Sequence, residues 1–345
     1  MRSYCTLFDG NYLSRGITMI DSLRNVSADH IVFVLAIDEL VSETLKNNSG
    51  VIIIKLGDVE EKYPRLEKAK ETRSSVEYYW TLTPSLIKYC IETYRLEECT
   101  YIDADIYFYN DPEALFLEVK SYSALITEHN YTPKYDQTNT SGKYCVQFLN
   151  IKNNSFGIEI LDWWQEKCIE WCYNRMENGK FGDQKYLDDW TTRFKSVHVA
   201  QDIGCGIAPW NIAKYDIVVK HSLFNVQDKV TKQIGAMIFY HFHGLKKYEN
   251  NRWFLSGYDI TTTVIEKLYK PYIGNIEKNE NKYNCQNKAE KLPSDTIKTS
   301  IMVKSWLRGV FRGVGILFKS IIKNEFLEAQ KMEIKEFNEH IIELQ

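Results

Sequence analysis

The chain has 345 residues, of which 44% are apolar and 26% charged, and a formal net charge of −3. Such a balance suits one large globular domain or two smaller ones and excludes a general nucleic-acid binder, which is basic over a face or throughout. The eight cysteines form no C-x-x-C pair, which excludes the usual zinc patterns and a secreted disulfide framework; they read as reduced, mostly buried thiols.

Residues 3–8 open the chain as an apolar strand, with no charged-then-apolar signal segment before them. A helical pattern over 14–23 follows, and then continuous apolar runs at 31–37 and 51–56, which suit strands buried on both faces of a sheet. A helix is expected over 83–94, with Pro84 in its first turn. Residues 101–108 read as a strand interrupted by Asp103 and Asp105, followed by a helix from Pro112. Further strands are expected at 123–127 and 146–151, and a long helix over 155–178 ends at Gly179–Gly182. Strand and helix in alternation give a doubly wound α/β domain. Aromatic side chains are abundant, with 23 Tyr and 8 Trp, and fit either an aromatic core or a carbohydrate site.

The composition turns polar after residue 274, which sets the expected division: a catalytic domain over 1–274, a polar linker over 275–297 and a helical tail over 298–345. Within the tail, Trp306, Leu307, Val310, Phe311, Val314 and Phe318 share one face of a helix. Lys304, Arg308, Arg312, Lys319 and Lys323 share the other. An anionic membrane surface is the expected partner of 298–323; the alternative is packing against protein. No run of apolar residues is long enough to span a bilayer, so the chain is expected to be cytoplasmic, peripheral on the inner face of the membrane.

Three short motifs carry chemistry. Asp103 and Asp105 stand two apart in an apolar strand pattern, so an extended chain turns both carboxylates to one side, where they can hold a divalent cation. His241, after an apolar strand, can add a nitrogen ligand; Gly244 permits close backbone approach, and Lys247 can meet a phosphate. At the end of the first strand, Asp9 and Asn11 can bond a base edge and Tyr12 can stack on it, or Asp9 and Asn11 can cap the next helix.

Together and in this order, Asp9-Gly10-Asn11-Tyr12, Asp103-Ala104-Asp105 and His241-x-x-Gly244-x-x-Lys247 resemble the GT-A glycosyltransferases of the family-8 type. Asp183-Gln184 and Trp210-Asn211 extend the likeness, which covers roughly residues 3–260. The resemblance implies a GT-A mixed sheet flanked by helices, a Mn2+ or Mg2+ ion on Asp103, Asp105 and His241, and a nucleotide-sugar donor, with UDP favoured. Asp9, Asn11 and Tyr12 would meet the nucleoside, while Gly244, Lys247 and Arg73 would meet the phosphates. Asp103 and Asn211 would join the donor site. Asp183 would hold the donor sugar and Gln184 would lie near the anomeric carbon, with retention of configuration. The acceptor would be a glycan or lipid-linked. The chain departs from the pattern at Cys145 and Gln147, where Asn and Gly are common, which leaves the donor sugar open. Two other readings share features: a sugar nucleotidyltransferase, for which residues 9–16 hold too little Gly and Lys, and a non-catalytic carbohydrate- or membrane-binding protein.

Overall fold

The computed structural model describes residues 1–221, 223–285, 289–290 and 340–343. The amphipathic segment expected over 298–323 lies outside them. The chain forms two units, Met1–His243 with Thr261–Asn287, and Gly244–Ile260 with Lys288–Gln345.

The first unit is built on a seven-stranded mixed sheet. Its members in chain order are β1 (Arg2–Phe8), β2 (His30–Ala36), β3 (Val51–Lys55), β4 (Glu98–Ile102), then, after the short β5 (Ile106–Phe108), β6 (Ala124–Glu128), β7 (Tyr144–Lys152) and β8 (Val197–Val199). The order across the sheet is β3-β2-β1-β4-β7-β6-β8. The β1–β2, β2–β3 and β1–β4 pairs are parallel, whereas β7 runs antiparallel to both β4 and β6. Strand periodicity divides the central strands between two cores. Cys5, Leu7, Phe33 and Leu35 pack with the helix Ser75–Tyr94, while Tyr4, Phe8, Val32 and Val34 pack with the helix Leu13–Val26. Covered on both faces, these strands need no polar alternation, which is why they read as continuous apolar runs. All eight cysteines are free thiols, and all but Cys205 are buried.

The helix expected from residue 83 starts at Ser75. Ser74 caps it: its hydroxyl accepts from Glu77 N at 3.4 Å, and the Glu77 carboxylate accepts from Ser74 N at 2.8 Å. Pro84 therefore sits inside the helix, where the buried Leu82, Leu86, Ile87 and Cys90 hold the turns around it. The helix expected over 155–178 ends at Glu170, with Trp171 extended. The Asn174 N–H is taken by Glu77 at 2.8 Å, and Trp171 and Cys172 are both buried beyond the end of the helix. The linker expected from 275 begins instead as part of the helix Lys270–Tyr283. Ile273, Ile276 and Asn279 share its buried side, and Asn279 Nδ2 donates to Thr18 Oγ1 at 3.1 Å.

The first unit also holds an antiparallel sheet of β9 (Tyr215–Lys220), β10 (Leu223–Asp228) and β11 (Ile234–Ala236), and the strand β12 (Phe239–His241), which pairs antiparallel with β5. In the second unit, β13 (Lys246–Tyr248), β14 (Arg252–Phe254) and β15 (Ile341–Glu343) form one antiparallel sheet in which Trp253 is fully buried. Among the described residues no helix is long and apolar enough to cross a membrane.

Candidate active site

Strand β4 stops at Ile102, and the chain turns over residues 103–105 before β5 begins. The expected single extended segment is thus broken, and alternation does not aim the two carboxylates. Backbone hydrogen bonds do: Asp103 N donates to Gln147 O at 3.1 Å, Ile106 N to Asp103 O at 3.4 Å, and Phe242 N to Asp105 O at 2.9 Å. His241 is fixed from the other side, paired with Ile106 across β12–β5 and donating its N–H to Ile207 O at 2.9 Å.

These restraints bring one ligand atom each of Asp103, Asp105 and His241 within 4.8 Å of one another. His241 Nε2 lies 3.1 Å from Asp105 Oδ1 and 3.9 Å from Asp103 Oδ2; its Nδ1 lies 2.8 Å from Gln147 Oε1. The imidazole side chain is 5% exposed, Asp105 14% and Asp103 28%, so the cluster is open on the Asp103 side. Burial pushes the Asp103 carboxyl up to about 6; His241 opposes the shift and the Asp105 charge adds to it. Burial acts on Asp105 too, but the charge and hydrogen bond of His241 hold it at about 2. His241 itself, despite burial, is raised well above the ordinary imidazole range, chiefly by Asp105. Two carboxylates and one imidazole are a donor set for a divalent cation that accepts both oxygen and nitrogen. Such a cation would take the place of the proton on Nε2. His243 is exposed, its ring centroid 5.6 Å from that of His241, and it does not join the three convergent groups.

Asp183 is 5% exposed, and its backbone carbonyl accepts from Trp164 Nε1 at 3.0 Å. Burial and then the charge of Asp103 push its carboxyl up to about 8, against hydrogen bonds from its own and the Gln184 N–H and from Thr83. The coupling to Asp103 sets Asp183 within electrostatic reach of the triad, and Gln184 follows at the start of the 3-10 turn Gln184–Asp189. At the end of β1, Asp9 accepts from Asn11 N at 3.0 Å and from Tyr79 Oη at 3.1 Å, so it caps the turn Gly10–Tyr12 and braces the helix Ser75–Tyr94. Tyr12 keeps 38% of its surface exposed, and its phenol feels the charges of both Asp105 and Asp103.

Asn211 and Arg73 make hydrogen bonds within the protein. Asn211 is buried, its Nδ2 donating to His129 O at 2.9 Å and Gly206 O at 2.8 Å while its Oδ1 accepts from Ala208 N at 2.9 Å. That amide holds the 206–211 turn together. Arg73 donates to Thr81 Oγ1 at 2.5 Å and Ile169 O at 2.7 Å, tying the starting turns of one helix to the end of another. Gly244 and Lys247 belong to the second unit. There Gly244 adopts φ +78°, open to glycine at no steric cost, and the Lys247 ammonium lies 5.4 Å from the Trp253 ring centroid.

Two further groups stand beside the triad: Arg15, which no motif marks, and Trp210, which belongs to the Trp210-Asn211 pair of the resemblance. Arg15 is buried, its guanidinium 4.5 Å from the Tyr12 ring centroid, and its charge helps to hold Asp105 low. Trp210 sets its ring edge-on to both His241 and His243, with centroids 5.4 Å away in each case. A buried Arg behind an exposed Tyr has no local signature; only its place one helical turn after Asn11 hinted at it.

No protein-family model matches the chain. The uncharacterised protein YfnD of Bacillus subtilis is 30% identical to it over 288 residues, covering 80% of this chain and 88% of YfnD. YfnF of the same organism, also uncharacterised, is 30% identical over 254 residues, 71% of this chain and 82% of its own. Among solved structures, the galactosyltransferase LgtC in complex with donor and acceptor sugar analogues matches with a TM-score of 0.51 at 12% identity, over 80% of this chain and 95% of LgtC. The chain therefore belongs to the family of YfnD and YfnF, and it has the GT-A fold of the glycosyltransferase LgtC.

Proposed function

We propose that this protein is a metal-dependent glycosyltransferase that moves a sugar from a nucleoside-diphosphate donor, with UDP as the preferred nucleotide, to a glycan or lipid-linked acceptor with retention of configuration. The observation that carries the reading is the convergence of Asp103, Asp105 and His241 at the C-terminal end of β4, the end at which open α/β sheets bind ligands. A divalent cation held there supplies Lewis-acid stabilisation of the charge that builds on a departing diphosphate. The chain's own groups do the rest. The exposed face of Tyr12 offers a stacking surface for a base, beside an Asp9 already oriented by Asn11 and Tyr79. Asp183, its carboxyl raised by burial and the Asp103 charge, can bond a sugar hydroxyl, with Gln184 next to it. From the sequence pattern, Lys247 is assigned to the diphosphate, and the cationic, apolar-faced segment 298–323 to an anionic membrane surface on the cytoplasmic side.

The test combines nucleotide binding with turnover. Titration calorimetry with Mn2+ should show UDP binding more tightly than GDP; equal or tighter GDP binding defeats the base assignment. UDP release from a panel of UDP-sugars should require Mn2+, and Asp105→Asn should cut it by about a hundredfold or more, since losing metal stabilisation costs several kcal/mol. Near wild-type turnover by Asp105→Asn at ordinary Mn2+ defeats the metal assignment.

A further inference from the structure

Gln147 lies on β7 with no exposed surface. A buried amide is costly unless both ends are hydrogen-bonded, and both are. Its Oε1 lies 2.8 Å from His241 Nδ1 and its Nε2 lies 3.3 Å from Thr127 Oγ1, while Thr127 Oγ1 lies 3.2 Å from the Cys145 carbonyl oxygen. The direction of this chain can be worked out from its far end. A backbone carbonyl only accepts, so the Thr127 hydroxyl gives it its single proton. The hydroxyl oxygen is then left to accept, which turns the amino end of Gln147 toward Thr127. The carbonyl end therefore faces His241, and Nδ1 must carry a proton. In the neutral ring the lone pair then falls on Nε2, the nitrogen that faces Asp105 and Asp103.

Gly206 closes the amide in from another side. Its φ is +70°, and a Cβ there would stand 3.2 Å from Gln147 Nε2 and 3.3 Å from the Glu128 carbonyl oxygen. A side chain at this position would crowd the amide.

We infer that Gln147 is a positioning residue that fixes the tautomer and ring plane of His241, so that Nε2 is presented to a divalent cation shared with Asp103 and Asp105. The inference rests on those three residues being the metal ligands, and it gives a use to one of the two positions at which the chain departs from the pattern it resembles. Partners of this kind, bonded to the second nitrogen of a ligating His, set metal affinity.

The test is Mn2+ affinity of the full chain, read by electron paramagnetic resonance, alongside the melting temperature without metal. Gln147→Leu should weaken Mn2+ binding by roughly 10- to 100-fold. Gln147→Glu, which keeps an acceptor on Nδ1–H, should stay within a few-fold of wild type. Should Gln147→Leu fail to fold, Thr127→Val takes its place: it frees the amide to flip and should cost a few-fold in affinity. A Gln147→Leu or Thr127→Val protein that melts earlier but binds Mn2+ as the wild type does overturns the inference, because a merely structural amide predicts that pattern. Asp105→Asn separates the two levels. Binding that is lost in Asp105→Asn but unchanged in Gln147→Leu overturns the relay alone. Equal binding in wild type and Asp105→Asn, or none in wild type, overturns the metal reading and the relay with it.

Discussion

Replacing Asp183 with Asn measures the field inside the candidate site when no metal is there. The carboxyl is 5% exposed, and burial together with the Asp103 charge raises it from 3.8 to about 8. The unfolded chain releases this proton near the lower value and the folded chain near the higher one, so folding must take up a proton anywhere between them. Wild-type stability contributed by this group is therefore full below the lower value, falls as pH rises through the window, and levels off above the upper one. Each pH unit inside the window costs about 1.4 kcal/mol, which amounts to roughly 3 kcal/mol near pH 6. Asn has the shape of the neutral carboxyl and no proton to take up. Asp103 titrates in both proteins and largely cancels in the difference. Urea unfolding in the presence of a chelator, at several values between about pH 4.5 and 6.5, should show Asp183→Asn gaining on wild type by about 1.4 kcal/mol per unit, from about 1 kcal/mol at the acid end. A stability difference that does not change across that range would refute the argument, since it would mean that Asp183 ionises in the folded chain as it does in the unfolded one.

Two further outcomes are expected. His241→Ala should abolish most Mn2+ binding while His243→Ala changes it little, because only His241 converges with the carboxylates; a larger loss in His243→Ala reverses the ligand choice. Charge reversal at Lys304, Arg308 and Arg312 together should remove the full chain from anionic liposomes in a flotation assay and leave UDP-sugar hydrolysis unchanged; a wild-type protein that fails to float at low salt defeats the membrane assignment.

The sheet was legible because its central strands are buried on both faces and so write themselves as unbroken apolar runs, as at Val32, Phe33 and Val34. The carboxylates were legible for the opposite reason: Asp103 and Asp105 interrupt such a run. What local pattern could not give was geometry set by distant partners. The turn at residues 103–105 depends on Gln147 O, and the ring of His241 on a side chain 94 residues away. The end of the helix Ser155–Glu170 depends in part on Glu77, which is 97 residues from the Asn174 N–H it holds. Where a local signal did exist, a stronger prior overrode it. Ser74 and Glu77 spell a capping box, but Pro84 drew the expected start of that helix eight positions on, because proline is so much commoner in a first turn than in a helix interior.

The backbone bonds around the triad carry one more consequence, which concerns rate and selectivity. Each residue of the triad has its main chain tied to a neighbouring strand or loop, Asp103 to Gln147, Asp105 to Phe242 and His241 to Ile207. Ordering a backbone residue costs about 1–2 kcal/mol, and here folding has already met that cost. A cation that arrives need only settle a few side-chain torsions and shed water. Uptake should then be a simple saturating process that follows cation radius and ease of dehydration, with hydrogen exchange at the amides of Asp103, His241 and Phe242 already slow before any ion binds.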